Sequence, residues 1–354
     1  MNKEIYNLQI LRGVAALLVV ISHLLAYPFS YMKYTGQIGV AIFFILSGFL
    51  MVYTFNEKTS SFEFIKKRIQ RIYPTYFIVS LPLIIFYAIN KESISLILHN
   101  VLFVPWLDKS TFDLQGLSNP VAWTLFFEFY FYLIFSLSKI VFNKKMQVIV
   151  STTTIILALL IFSKLNLEQG AGLGWSEITF ASLIGNLCVL YFVGGMWLAH
   201  HYENNKYEKK FSPLFLLLIP FTILSLKISS EYIENDQMVD LLFNAIPMLF
   251  LMFVFLHIKE VKFHLFNRLF DQLYILGLYS YSLYLVHAYF YKLRLYLESN
   301  GINGISLLVI SVIMFFLSLY LSKFVYFSVE NRFVDFFKKE RIKGGESISF
   351  SKSG

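Results

Sequence analysis

Arg12-Gly-Val-Ala-Ala-Leu-Leu-Val-Val-Ile-Ser-His23 decides how this chain is read. An arginine and a histidine close a run with almost nothing else polar in it. Along an α-helix, eleven steps of ~100° end ~20° past three full turns, so both side chains leave on nearly the same face, ~16 Å apart along the axis. The stretch is predicted to be a membrane helix with one polar stripe, a guanidinium near one membrane face and an imidazole near the other. Ionisable groups inside a bilayer are costly and usually face a protein-lined or water-filled path.

Composition extends this reading to the whole chain. Of its residues 57% are hydrophobic and 15% are charged, and the mean hydropathy is +0.63. A soluble domain carries about 25% charged residues, so there is too little charge here to coat a globular surface. The expected class is an all-α, polytopic membrane protein. The apolar segments run Tyr6–Ala26, Gln37–Phe55, Ile72–Ile89, Val121–Val141, Met146–Phe162, Ser182–His200, Pro213–Ile228, Val239–His257, Gln272–Tyr291 and Ile305–Phe327. Most are long enough to cross ~30 Å of hydrocarbon, which predicts about ten transmembrane helices. Ile94–Val104 is too short to span and is followed by Pro105, which suits an interfacial or re-entrant helix.

The basic residues orient the map. With the N-terminus in the cytoplasm, only Lys33, Lys91, Lys109, Lys164, Lys227, Lys292 and Arg294 of the 30 Lys and Arg fall in outer loops. The rest cluster at Lys3, Glu57–Arg71, Lys139 to Lys145, His201–Ser212, Lys259–Asp271 and the C-terminal tail, or, as Arg12 and Lys323, near the inner ends of spans. This positive-inside bias predicts N-in and C-in. It also accounts for the net charge of +8 without a nucleic-acid partner. Residues 1–335 are expected to form a transmembrane domain, and 336–354 a short basic cytoplasmic tail that begins as an amphipathic helix. No cleavable signal peptide is expected, because the first apolar run lacks a small-residue cleavage site. The single cysteine, Cys188, excludes an intrachain disulfide and a cysteine-based metal cluster. With no His-x-x-x-His, P-loop or dinucleotide fingerprint, no metal is expected.

Other polar groups recur at helical spacing. Arg68 and Arg71 share a face at the start of the third span and could clamp a phosphate. The neighbouring Lys66 and Lys67 read as topology signals and lipid anchors. In the stretch Trp123 to Tyr132, residues Thr124, Glu128 and Tyr132 are spaced i, i+4, i+8, and a carboxylate inside a span is a functional candidate, with pairing to another helix, such as the one carrying Arg12, as the alternative. Trp123 suits the interfacial aromatic belt. Gly277, Ser280, Tyr284 and His287 form a second stripe ending in a histidine, for which interhelical hydrogen bonding is the plainer alternative. Gly39 to Phe49 reads as close helix packing through small residues. Glu330 reads as a local pair with Arg332 or a helix-end contact. No chemistry is assigned to His99, His200, His201, His257 or His264.

Together these pieces resemble the membrane acyltransferase-3 family, bacterial integral-membrane O-acyltransferases of cell-envelope polysaccharides. The resemblance rests on Arg12–x10–His23 after Leu8-Gln9-Ile10-Leu11, on Phe43-Phe44-Ile45-Leu46-Ser47-Gly48-Phe49, and on Arg68-x-x-Arg71 with Tyr73-Pro74. It is continued by Trp123-Thr124-Leu125 with Glu128 and Phe131-Tyr132, and by Tyr281 to Leu285 with His287, over about residues 6–335. It implies ten transmembrane helices in the bacterial cytoplasmic (inner) membrane. It implies acetyl-CoA or another acyl-CoA as cytoplasmic donor. The acceptor would be a sugar hydroxyl of an exopolysaccharide, capsule, O-antigen or lipid-linked sugar. It implies His23 as the catalytic residue and Arg12, Arg68 and Arg71 as donor-binding. The family often carries an extra extracytoplasmic hydrolase-like domain, so this chain is expected to be a stand-alone form.

On this reading the nucleotide phosphates sit at Arg68 and Arg71, and the pantetheine arm follows the Arg12 face. His23 then serves as general base or briefly carries the acyl group. Glu128 is the second catalytic candidate, as the group that orients the imidazole. Trp123, Thr124, Tyr284 and His287 are candidates for lining the substrate path. The competing class is a transporter or flippase of a sugar or lipid-linked intermediate, since polar stripes on several helices also suit alternating access. No inverted repeat supports it. A sensor or scaffold would have no soluble output domain here.

Overall fold

The computed structural model describes residues 3–26, 34–89, 97, 100–102, 119–166, 180–205, 237–257 and 264–343. Among these every regular element is helical: α1 (Lys3–Leu24), α2 (Tyr34–Tyr53), α3 (Ser61–Ile89), α4 (Trp123–Val141), α5 (Lys145–Asn166), α6 (Phe180–Gly185), α7 (Val189–Asn205), α8 (Gln237–Leu256), α9 (His264–Leu278), α10 (Ser280–Ser299), α11 (Gly304–Val325) and α12 (Asn331–Lys343). A π-helical turn, Tyr326–Glu330, joins the last two. Six described stretches are long and apolar enough to cross a membrane: Tyr6–Leu24, Thr35–Tyr53, Ser61–Phe86, Trp123–Val141, Lys145–Leu165 and Gly304–Glu340.

Helices in lipid gain little from hydrophobicity and are held by close packing, which small residues permit. Gly13 and Gly277 do this between α1 and α9. A Cβ at Gly13 would collide with the carbonyl of Leu273, and one at Gly277 with the carbonyl of Gln9. Gly48 and Gly195 do the same between α2 and α7, against the carbonyls of Phe192 and Ile45. The packing predicted for the Gly39 to Phe49 stretch is therefore present. Around it the Phe131 and Phe192 rings stack at 4.3 Å. On α11 the buried residues Leu307, Ser311, Met314, Ser318 and Ser322 form one stripe. Phe316, Tyr320 and Phe324 are exposed on the remainder of that helix, as lipid contact requires.

Several expected spans differ from the structure. Ser182–His200 is not one helix: α6 ends at Gly185 and α7 begins at Val189. Between them the Asn186 side chain accepts the Cys188 backbone N–H at 2.9 Å, an Asx turn that competes with the helix. Gln272–Tyr291 is likewise divided at Tyr279, which has non-helical dihedrals (φ −105°, ψ 20°). The bend lets α9 press Gly277 against the N-terminal half of α1 while α10 follows its C-terminal half. α3 begins at Ser61, well before Ile72, so Arg68 and Arg71 are helical. Pro74 and Pro82 both lie inside it, a placement that transmembrane helices tolerate. The span expected over Pro213–Ile228 lies outside the described residues. Of Ile94–Val104 only residues 97 and 100–102 are described. There Tyr76 donates to the Asn100 carbonyl at 2.9 Å and Tyr73 to that of Val101 at 3.0 Å, docking the segment on α3.

Candidate functional site

Four long helices, α1 to α4, and the start of α10 enclose a cavity of about 100 Å³. That is room for several waters or a short acyl chain. Three guanidiniums line it: Arg12 from α1, and Arg68 and Arg71 from α3. Each is placed by helical spacing. Arg68 and Arg71 are one turn apart, and Arg12 follows Gln9 by one turn, donating to its Oε1 at 3.4 Å. Arg68 donates to Thr54 Oγ1 at 3.3 Å and lies over the rings of Phe64 (5.3 Å) and Tyr132 (5.4 Å). Stacking of this kind suits a planar guanidinium. Arg71 is exposed, so the cavity has a mouth on that side. None of the three takes part in an ion pair within 4.0 Å among the described residues, whose ion pairs include Lys67–Glu63, Lys145–Glu203 and Arg294–Glu298.

α4 supplies the opposite wall. Thr124, Glu128 and Tyr132 all face the cavity, as their spacing predicts. Glu128 accepts from Ser47 Oγ of α2 at 3.4 Å and from the Tyr132 hydroxyl. The structure therefore brings Glu128 to the arginines rather than to His23. Trp123 is half-buried, edge-on to Phe127 at 6.0 Å, and is not part of this cavity's lining.

α10 joins this chamber to a second group. Tyr284 lines the cavity, and its hydroxyl meets Thr124 Oγ1 at 2.9 Å and the Val121 carbonyl at 3.0 Å. One turn further, its ring packs 5.6 Å from that of His287. His287 is fully buried, and its Nε2 lies 3.2 Å from Nδ1 of His23. Neither histidine lines the cavity; the Tyr284 ring is the wall between. The predicted stripes on α1 and α10 thus face each other, with arginine at one end and paired imidazoles at the other.

Protons on the pair follow from their partners. His287 Nδ1 lies 3.1 Å from the Leu283 carbonyl, which can only accept, so this nitrogen carries a hydrogen. In a neutral ring the opposite nitrogen, Nε2, is then an acceptor, and His23 must donate to it from Nδ1. Nε2 of a neutral His23 is left with its lone pair. The Val19 carbonyl, one turn back on α1, also accepts a hydrogen bond from the His23 ring. An imidazole so fixed can take a proton from an approaching hydroxyl.

Two residues escaped the sequence reading. Glu330 does not pair with Arg332. The π-helical turn aims it inward, where Ser282 Oγ donates to its Oε2 at 2.6 Å, and it interacts electrostatically with Arg12 and Arg71. Such turns break helical spacing and recur at functional sites. The other is Arg294, assigned above to an outer loop. It lies within α10, 8% exposed. Continuing the stripe from His287 by two helical turns would have reached it.

Among the described residues no cluster of three or more His, Cys, Asp or Glu could hold a metal ion. A family model described as "Acyltransferase domain" matches residues 5–326. Acyltransferase MdmB of Streptomyces mycarofaciens is 31% identical over 110 residues, which cover 29% of this chain and 28% of that relative. The similarity thus spans little more than a quarter of the curated relative. No solved structure matches the chain.

Proposed function

Since this chain belongs to the acyltransferase-3 family and carries its acyltransferase domain, we propose that it is a multi-pass membrane O-acyltransferase of the bacterial cytoplasmic membrane. It moves an acyl group, acetyl by preference, from cytoplasmic acyl-CoA to a sugar hydroxyl of an envelope glycan or lipid-linked sugar. Residues 1–335 form the catalytic membrane domain and 336–354 the basic tail. About ten spans hold both termini inside. The observation that carries this reading is a chamber lined by three guanidiniums, none in an ion pair among the described residues, one tyrosine ring away from a fixed imidazole pair.

Guanidiniums bind phosphate oxygens through paired, charge-assisted hydrogen bonds. Arg71 at the mouth, with Arg68 and Arg12 further in, grades the path from exposed to enclosed. A chamber of about 100 Å³ suits the slender thioester end of the donor and leaves the nucleotide at the mouth. Rotation of the Tyr284 ring opens the wall towards His23. There His23 Nε2 takes the proton of the acceptor hydroxyl while its oxygen attacks the thioester carbonyl. The carbon–sulfur bond breaks, and the imidazolium returns the proton to the leaving thiolate, giving an ester and a free thiol. His287 holds the tautomer that this step needs. Glu128 serves the guanidinium end, keeping Tyr132 and Ser47 in place.

The test uses purified protein in lipid with acetyl-labelled acetyl-CoA and the envelope glycan fraction of a strain lacking the gene. The wild type is expected to label the glycan, and the correctly inserted His23→Ala variant is not. Glycan crossing the membrane unlabelled would refute the reading in favour of a transporter.

A further inference from the structure

α10 touches His23 at more than its ring. Residues 287, 291, 294 and 298 are spaced i, i+4, i+7, i+11 and share one face of the helix. Along that face His287 meets the His23 imidazole, and the Tyr291 ring lies 4.5 Å from it at 49°. One turn on, Arg294 Nη1 donates to the His23 backbone carbonyl at 3.2 Å. Its Nη2 is tied to Glu298 Oε2 at 3.3 Å.

The position of that carbonyl matters. α1 ends at Leu24, so the His23 carbonyl is among the last four of the helix, which have no partner within it. The end of a helix also carries partial negative charge, which a cation stabilises. Arg294 caps α1 from a neighbouring helix. The arrangement is costly. A long basic side chain near a membrane face normally snorkels into water, yet this one is 8% exposed, and its Nε is buried without a partner among the described residues. Burying a guanidinium that is only partly satisfied is unfavourable, and packing of α1 alone does not require it.

We propose that Arg294 is a positioning residue for His23, fixing its main chain while His287 and Tyr291 fix its ring. This rests on His23 being the reacting imidazole. With the carbonyl free, the outer end of α1 can fray, and the imidazole drifts from the acceptor hydroxyl. Misplacement by about 1 Å is enough to cost on the order of 100-fold in rate. Donor binding takes place at the far end of the same helix and is unaffected.

The experiment compares His23→Ala, Arg294→Met, Arg294→Lys and Glu298→Gln in the reconstituted full-length protein, reading kcat, KM for acetyl-CoA and melting temperature. Arg294→Met should lower kcat roughly 10- to 100-fold with KM within a factor of two. Arg294→Lys should recover much of the loss, because an ammonium still reaches the carbonyl. Glu298→Gln, which keeps the guanidinium but loosens it, should lower kcat a few-fold. Should Arg294→Met fail to insert, the lysine and glutamine variants carry the test. Arg294→Met at wild-type kcat beside an inactive His23→Ala overturns the role of Arg294 alone. Equal losses in the Met and Lys variants, with matching falls in melting temperature, also overturn it, in favour of plain support of the fold. Wild-type activity in His23→Ala overturns this proposal and the function together.

Discussion

His23 and His287, 264 residues apart in the chain, share one hydrogen bond of 3.2 Å between Nδ1 and Nε2. The Leu283 carbonyl fixes its direction, because it obliges His287 Nδ1 to donate. A buried histidine therefore sets which nitrogen of its half-buried neighbour is free for chemistry.

His287→Gln tests that relationship. Glutamine cannot reproduce an acceptor held at this point by a backbone carbonyl, so the His23 tautomer is no longer fixed. The expected result is a fall in kcat of about 10-fold or more, with KM for acetyl-CoA unchanged. Steady-state acetyl transfer measures both.

At the other end of the path the expectation is reversed. Arg68→Gln and Arg71→Gln each remove a charged donor of hydrogen bonds, worth about 1.5–3 kcal/mol. That corresponds to a rise of roughly 10- to 100-fold in KM for acetyl-CoA. Lysine at either position keeps the charge but not the planar fork and should give an intermediate value. Titration of the donor at fixed glycan concentration reads the series.

Glu330→Ala probes the π-helical turn. Ser282 is fully buried, and its hydroxyl donates to Glu330. Removing the acceptor strands that hydroxyl at a cost of about 1–3 kcal/mol. Thermal unfolding in detergent should show a melting temperature lower by several degrees. The neighbouring Arg332→Ala, exposed and unpaired among the described residues, should leave it unchanged.

The crossing of α1 and α9 gives a packing test. Gly277→Ala places a methyl group against the Gln9 carbonyl, and forced overpacking costs about 1–3 kcal/mol. Because Gln9 holds Arg12, the same variant should raise KM for acetyl-CoA as well as lower the melting temperature.

What could be read from the chain was what repeats along one helix. Arg12 with His23, Thr124 with Glu128 and Tyr132, and Tyr284 with His287 were visible because 3.6 residues per turn sets faces without knowledge of the partner. The pairing of faces was not visible. Spacing leaves Glu128 open to the imidazole or to the helix that carries Arg12, and only the packing shows that α4 meets α2 and α3 at the guanidinium end. Spacing offers Glu330 only its sequence neighbour Arg332 or a helix-end contact, since a π-helical turn leaves no periodic mark. Arg294 reads as a loop cation because the apolar run before it ends at Tyr291, whereas the helix continues to Ser299. The break at Tyr279 carries no proline, and the Asx turn at Asn186 depends on one side-chain bond.

The most direct measurement is sided transfer. Protein is reconstituted in vesicles with labelled acetyl-CoA trapped on the side of Arg71 and the glycan fraction supplied only on the side of His23. Label should appear on the outer glycan while CoA stays inside, and His23→Ala should abolish it. Transfer that requires donor and glycan on the same side would contradict a path from the guanidiniums to the imidazole pair.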